Sequence, residues 1–338
     1  MGKLVVFKNA PRILSSASVV GRKESEGPLA AYFDVHDESD RFGQKTFEQA
    51  ESEMQRMALN LALSKIKAEP ESLDAVFAGD LLNQCTGSSY GLKGFGVPYF
   101  GLYGACSTAA EGLILAGMTV GYGVYGRVAC LSSSHNSSAE RQFRFPLEYG
   151  SQRPPTAQWT ATAAAAFVIG EGGSEGDESV ACLTEAVVGR IVDKGINDAA
   201  NMGAAMAPAA ADTLVEYFLK NKRCPEDFDL IVTGDLGKEG HSICRELLEG
   251  EGLSLGENFS DCGMLIYDGE RQDTHSGGSG CGCSASVTAG YIMNGFKNGR
   301  LKDVLLIGTG ALMSPMSIQQ GLSIAGIGHL VRLSAVKR

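Results

Sequence analysis

The chain reads as an α/β protein built from two copies of one plan, and three observations carry that reading. A strand-like run ending in Gly79-Asp80-Leu81 returns half a chain later, ending in Gly234-Asp235-Leu236. A cysteine in Gly104-Ala105-Cys106-Ser107-Thr108 opens an apolar, helix-like stretch that leads to the strand-like segment from Arg127. Likewise, Cys281-Gly282-Cys283-Ser284 opens a stretch leading to a strand-like segment from Asp303. The echoes keep their order and spacing, which marks internal duplication and predicts pseudo-twofold halves with the working site where they meet. Glycine is abundant, 44 of 338 residues, and suits the close turns of an α/β architecture. A chain this long exceeds one ordinary core. Two halves are therefore expected, 1–172 and 173–338, divided near the polar, Gly-rich run that begins at Glu171.

Residues 1–45, with Pro11, Gly21 and Pro28, read as loop-rich. Thr46 and Gln49 have the spacing of a helix-starting capping box, followed by Met54, Met57, Ala58, Leu61 and Ala62 at helical period. Pro70 ends that helix before a strand at 74–78. Residues 80–104 form a loop and short helix rich in Gly and Tyr. A helix from Thr108 to Val120, a strand at 128–131, a polar excursion at 132–160 and a buried strand at 163–169 complete the first half. The second half opens with a strand at 181–188. An insert at 193–208 then precedes a helix from Ala209 to Lys220.

Composition excludes several classes. Formal net charge is −10, from 29 Lys+Arg against 39 Asp+Glu, with no long basic run, so nucleic-acid binding is not expected. Nine scattered cysteines suit a reduced, intracellular protein. Cys281 and Cys283 lack the spacing and the histidine partners of a structural zinc site. The N-terminus lacks the apolar core of a signal peptide. The longest uncharged apolar stretch, 112–126, is too short to span a bilayer, so a soluble chain is expected. The Gly-rich run from Gly277 departs from a dinucleotide fingerprint.

Candidate site residues follow from position. Cys106 at a helix start gains thiolate character from backbone N–H groups and the helix dipole, against the alternative of a small buried filler. Ser107 lies beside it. His135 follows a strand end, where α/β proteins place ligand groups. His275, and more weakly His329, are further candidates. Asp80 and Asp235 end matching strands and either face one cleft or cap the turns that follow. Arg141, Arg144 and Arg153 crowd one excursion with Tyr149 and Trp159, where a guanidinium fork suits a carboxylate.

These features together resemble the thiolase superfamily of thiolases and ketoacyl synthases over nearly the whole chain. The resemblance implies a thiolase-like, duplicated, five-layered αβαβα fold and a homodimer. Several strings narrow it: Ala78–Gln84, Ser133–Asn136, Ala139–Arg144, Met206–Thr213, Gly277–Cys281 and Gly310–Pro315. They are similar to a sporulation branch of the superfamily found in endospore-forming bacteria. That branch implies binding of dipicolinic acid, with calcium as its chelated companion, for delivery through small membrane subunits of a channel complex at the forespore inner membrane. On this likeness Cys106 holds the nucleophile's place. The resemblance puts Gly234-Asp235-Leu236-Gly237 where synthases carry a His-x-x-Asn type motif. Cys281 falls near the thiolase Gly-His-Pro histidine, and Thr309 or Gly310 at the second thiolase cysteine.

The expected pocket is Asp80, Gln84, Cys106, Ser107, His135 and Arg153, with an aromatic from 90–103 stacking on the ligand. Asp80 or Asp235 would offer oxygens to calcium, and the pocket would be non-catalytic. The alternatives are a Cys106-dependent acyl-CoA acyltransferase or condensing enzyme, and a scaffold for the membrane complex.

Overall fold

The structure, a computed structural model, describes residues 4–143, 153–173 and 177–336. In the first half these residues give β1 (Arg12–Val20), α1 (Phe47–Lys65), β2 (Ala75–Gly79), β3 (Tyr99–Gly101), α2 (Thr108–Gly121), β4 (Arg127–Ser134) and β5 (Ala163–Gly170). The second half supplies β6 (Ala181–Val187), α3 (Met202–Lys220), β7 (Leu230–Thr233), α4 (Gly237–Gly250), β8 (Phe259–Asp261), α5 (Cys281–Val287), β9 (Asp303–Leu312) and β10 (Ala325–Ala335).

The strand order makes the duplication explicit. Within one 12-stranded sheet the first half runs β3-β2-β4-β5-β1 and the second β8-β7-β9-β10-β6. In each half the three outer strands are parallel and the next two antiparallel. The halves join where β1 meets β6, at Arg12↔Cys182 and Ile13↔Ala181. α1 covers the outer face of the first half and α3 that of the second. Between the halves lie α2, which touches strands of both, and α5, which packs on β4, β5 and β1 of the opposite half. The five layers and the thiolase-like α/β fold expected from the resemblance are therefore present.

Local sequence explains the elements that frame the site. Thr46 caps α1 by accepting the Gln49 amide at 3.2 Å, as its spacing predicts. α5 continues through a π-helical turn, Thr288–Ile292, into Met293–Lys297. Gly310 and Gly308 on β9 let that strand lie against the backbone of the Cys106 turn. A Cβ at Gly310 would stand 2.5 Å from the Gly104 carbonyl.

Two expectations need correction. The first 45 residues are not mainly loop: β1 is a nine-residue strand at the junction of the halves. Its serines hide it, because a run of hydroxyls looks like loop. Each finds a partner: Ser15 donates to the Ala62 carbonyl at 2.7 Å and Ser16 to that of Ala289 at 3.0 Å, while Ser18 pairs with Asp34. Second, the helix expected at 209–220 begins at Met202, through the supposed insert, capped by Asn201 and with Pro208 inside it. Proline removes one helical donor. Ala205, Met206, Ala209 and Ala210 are buried on both sides of it and lie over Gly326 and Gly328 of β10, and that packing carries the helix through.

Candidate functional site

Cys106 sits in a 3-10 turn, Ala105–Ser107, that leads into α2. Ala105 has φ +50, a left-handed conformation rare for a residue with a side chain, and such strain recurs at functional sites. The turn is closed by its own hydroxyls. Ser107 donates to the Gly104 carbonyl at 2.6 Å and Thr108 to that of Ala105 at 2.7 Å. Cys106, 6% exposed, lines a cavity together with Leu81, Tyr103, Ala139, Glu140, Phe143, Thr160 and Ser279. Met202, Ala311 and Met313 of the second half complete the wall, so the cavity lies between the halves.

The second half also brings Asp235 to the thiol. Asp235 follows β7 and is fully buried. Its carboxylate accepts the Thr309 hydroxyl at 2.8 Å, the Gly280 amide at 2.9 Å and the Ser279 hydroxyl at 3.2 Å. The Cys106 sulfur lies 4.0 Å from the same Ser279 hydroxyl, beside this carboxylate. Burial, then Asp235 and Cys281, push the thiol well above its ordinary range, against a smaller pull from the Gly280 amide. Burial likewise raises Asp235, opposed by the donors around it. Such surroundings favour the thiol over the thiolate, and the thiolate is the nucleophilic form.

The duplication crosses over at this point. Asp235 of the second half faces Cys106 of the first, and Cys281 of the second half lies within the field of Glu51 and Asp80 of the first. Cys281 donates to the Ser133 carbonyl at 2.9 Å.

The expected site residues divide. Cys106 lines the cavity, and Ser107 is in its turn with the hydroxyl engaged by Gly104. Asp80 lies outside the lining: it accepts the amides of Leu82 at 2.9 Å and Ser88 at 2.7 Å and the Ser88 hydroxyl at 2.6 Å, so it caps the turn after β2. Gln84 is exposed, with φ +56, on the loop beyond Leu81. His135 is buried elsewhere, its Nε2 on the Asp40 carbonyl at 2.7 Å and its Nδ1 accepting the Ser137 amide at 3.2 Å. Arg153 binds the Asp273 carboxylate and carbonyl, both at 2.8 Å, and covers the Trp159 ring.

Among the other candidates, Arg141 pairs with Glu48, His275 binds the Pro154 carbonyl and Asp273, and His329 accepts the Gly189 amide. Arg144 and Tyr149 lie outside the described residues. None of the five histidines lines the cavity or hydrogen-bonds Cys106 among the described residues. No cluster of three or more His, Cys, Asp or Glu there could hold a metal ion, and no helix there is long and apolar enough to cross a membrane.

Sequence reasoning missed Leu81, Ala139, Thr160, Met202 and Met313, because nothing marks an apolar residue as lining rather than core. Tyr103 belongs to the aromatic segment already singled out.

Comparison with known proteins decides the family. The family model for stage V sporulation protein AD (SpoVAD) matches residues 2–334. The chain belongs to that family. It is 41% identical over 324 residues to stage V sporulation protein AD of Bacillus subtilis (strain 168), covering 96% of this chain and 94% of the relative. The assignment makes it a sporulation protein. Solved structures share the fold at far lower identity. Cerulenin-bound OleA of Xanthomonas campestris aligns over 98% of both chains with TM-score 0.62 and 15% identity. The 3-oxoacyl-[acyl-carrier-protein] synthase III of Aquifex aeolicus VF5 aligns over 96% of this chain and 99% of its own, with TM-score 0.56 and 15% identity.

Proposed function

We propose that the Cys106 cavity binds dipicolinic acid, as the free acid or its calcium chelate, and that the protein passes it to membrane subunits of a spore channel complex without chemical change. The observation that carries this reading is the replacement of a base by an acid at the thiol. Cys106 lies beside Asp235 and no imidazole, so it lacks the cationic partner that would favour its thiolate. What is left is a cavity with aromatic side chains at Tyr103 and Phe143 and hydroxyls at Tyr103 and Thr160, with Glu140 also in its wall. A planar diacid needs a slot to stack in and donors for its oxygens, and this lining supplies both. Calcium enters as cargo, bound by the ligand's own carboxylates. Membership of a sporulation family supports the setting.

Isothermal titration with dipicolinate, with and without calcium, tests the reading. Saturable heat that shrinks in Ala139→Phe, which fills the cavity, supports it; a silent wild type overturns it.

A homodimer is part of the same proposal. β3 is the sheet edge of the first half, with Tyr99, Phe100 and Gly101 all exposed. An unpaired apolar edge is a template for pairing with a second copy.

The rival reading, a Cys106-dependent acyltransferase, draws on the strained Ala105 turn and on the condensing-enzyme fold. It requires Asp235 to take the thiol proton. CoA thiol released from an acyl-CoA by wild type but not by Cys106→Ala would favour it.

A further inference from the structure

A second cavity, larger than the first, lies beside it, with Arg22, Lys23, Asn136, Ser137 and Trp159 in its wall. The two cavities share their partitions. The helix Asn136–Phe143 turns Asn136 and Ser137 toward this cavity and Ala139 and Phe143 toward the Cys106 cavity. Neighbouring residues of the short strand Trp159–Thr160 divide in the same way, since alternate side chains of a strand point to opposite faces.

Its chemistry differs from that of the first cavity. The described lining of the Cys106 cavity holds no Lys or Arg, whereas this one holds two cations. The acids in its wall are engaged: Asp40 accepts the Arg22 amide at 2.7 Å, and Glu26 accepts Arg22 Nε at 2.9 Å. Of the residues in this wall, Asn136 carries the one buried side-chain atom without a partner, and that atom, Nδ2, is a donor. The Lys23 ammonium stands 4.2 Å from the centre of the Trp159 ring and donates to the Gln272 carbonyl, leaving further donor capacity. Against the same ring lies Arg153, 11% exposed, with Nη1 buried and unpartnered.

We propose that this second cavity is a binding site for a small planar carboxylate. Lys23 and the Asn136 amide would hold carboxylate oxygens, and Trp159 would flank the ring. Buried donors left without acceptors are costly, and a ligand rich in acceptors relieves them. The site stands whether or not the Cys106 cavity binds anything. If both bind, it is a station with a lysine, one partition away from a cavity whose described lining has no Lys or Arg.

Trp159 is the only tryptophan in the chain, so its fluorescence reports on this partition, and the variants tell the two cavities apart. The experiment titrates the full chain with dipicolinate, exciting at the red edge of the indole band. Four proteins are compared: wild type, Lys23→Met, Asn136→Leu and Ala139→Phe, each checked by circular dichroism. The expected result is a saturable change in wild type and Ala139→Phe, and dissociation constants about tenfold or more weaker in Lys23→Met and Asn136→Leu. Two results overturn the proposal: no saturable change in wild type, or a change lost in Ala139→Phe and kept in both other variants. The second would assign the signal to the Cys106 cavity alone.

Discussion

The Cys106 thiol and the buried carboxylate of Asp235 come from opposite halves of a duplicated chain and share one neighbour, the Ser279 hydroxyl, which donates to Asp235 at 3.2 Å and lies 4.0 Å from the Cys106 sulfur. A carboxylate beside a thiol disfavours the thiolate, whereas a cationic imidazole would favour it.

The first prediction concerns reactivity. Wild-type Cys106 should resist iodoacetamide at mildly alkaline pH while exposed Cys224 is alkylated. Asp235→Asn removes the negative charge that helps raise the Cys106 pKa, so that pKa falls and alkylation quickens at least several-fold. Peptide mapping by mass spectrometry measures both rates. Equal rates at Cys106 and Cys224 in the wild type would contradict this account.

A second prediction concerns the docking of the halves. Gly310→Ala places a methyl group 2.5 Å from the Gly104 carbonyl, and backbone there cannot swing aside as a long side chain can. Overpacking of this kind costs about 1–3 kcal/mol. Chemical denaturation should show that loss, with dipicolinate binding weakened alongside. Gly299→Ala, where nothing lies within 4 Å but φ is +76, separates backbone strain from collision.

Stability should fall as pH rises through neutrality. Burial raises Glu24 to about 7 from 4.5, and Asp261 to about 7 from 3.8. Burial raises Glu51 and Asp80 in the same direction. Between the unfolded and folded values the native state holds protons that the unfolded chain has released. Each such group therefore favours the fold fully below its unfolded pKa, and that advantage is lost as pH rises toward about 7. The slope is about 1.4 kcal/mol per pH unit for each proton. Glu24→Gln should flatten the melting-temperature profile between mildly acidic and neutral pH, read by differential scanning calorimetry. A profile that climbs over that range would show the sign to be wrong.

Assembly gives a fourth prediction. Phe100 is 47% exposed on the edge strand β3. Phe100→Glu should convert a dimer to a monomer in sedimentation, leaving secondary structure intact. A wild type that sediments as a monomer would refute the dimer proposal.

The repeat was legible because both halves end a strand in Gly-Asp-Leu and open a helix at a cysteine. These are local signals that survive in one sequence. Cys106 and Asp235 were both marked, yet their partnership was not, because Asp80 and Asp235 look alike in sequence. Only the fold sends one carboxylate to a thiol and the other to the amides of its own turn. His135 and Arg153 lie away from the lining of the Cys106 cavity for a related reason. Each sits where a ligand group would be useful, but His135 is engaged by the Asp40 carbonyl and Arg153 by Asp273. β1 escaped because its serines are satisfied by long-range partners that no local pattern reveals.

The most direct test of the central claim is a crystal structure after soaking with dipicolinate, with an acyl-CoA soak in parallel. The account predicts a planar ligand between Tyr103 and Phe143 beside an unmodified Cys106 sulfur, and no acyl group on that sulfur in the parallel crystal. An empty cavity under saturating dipicolinate, with Cys106 acylated in the other crystal, would contradict it.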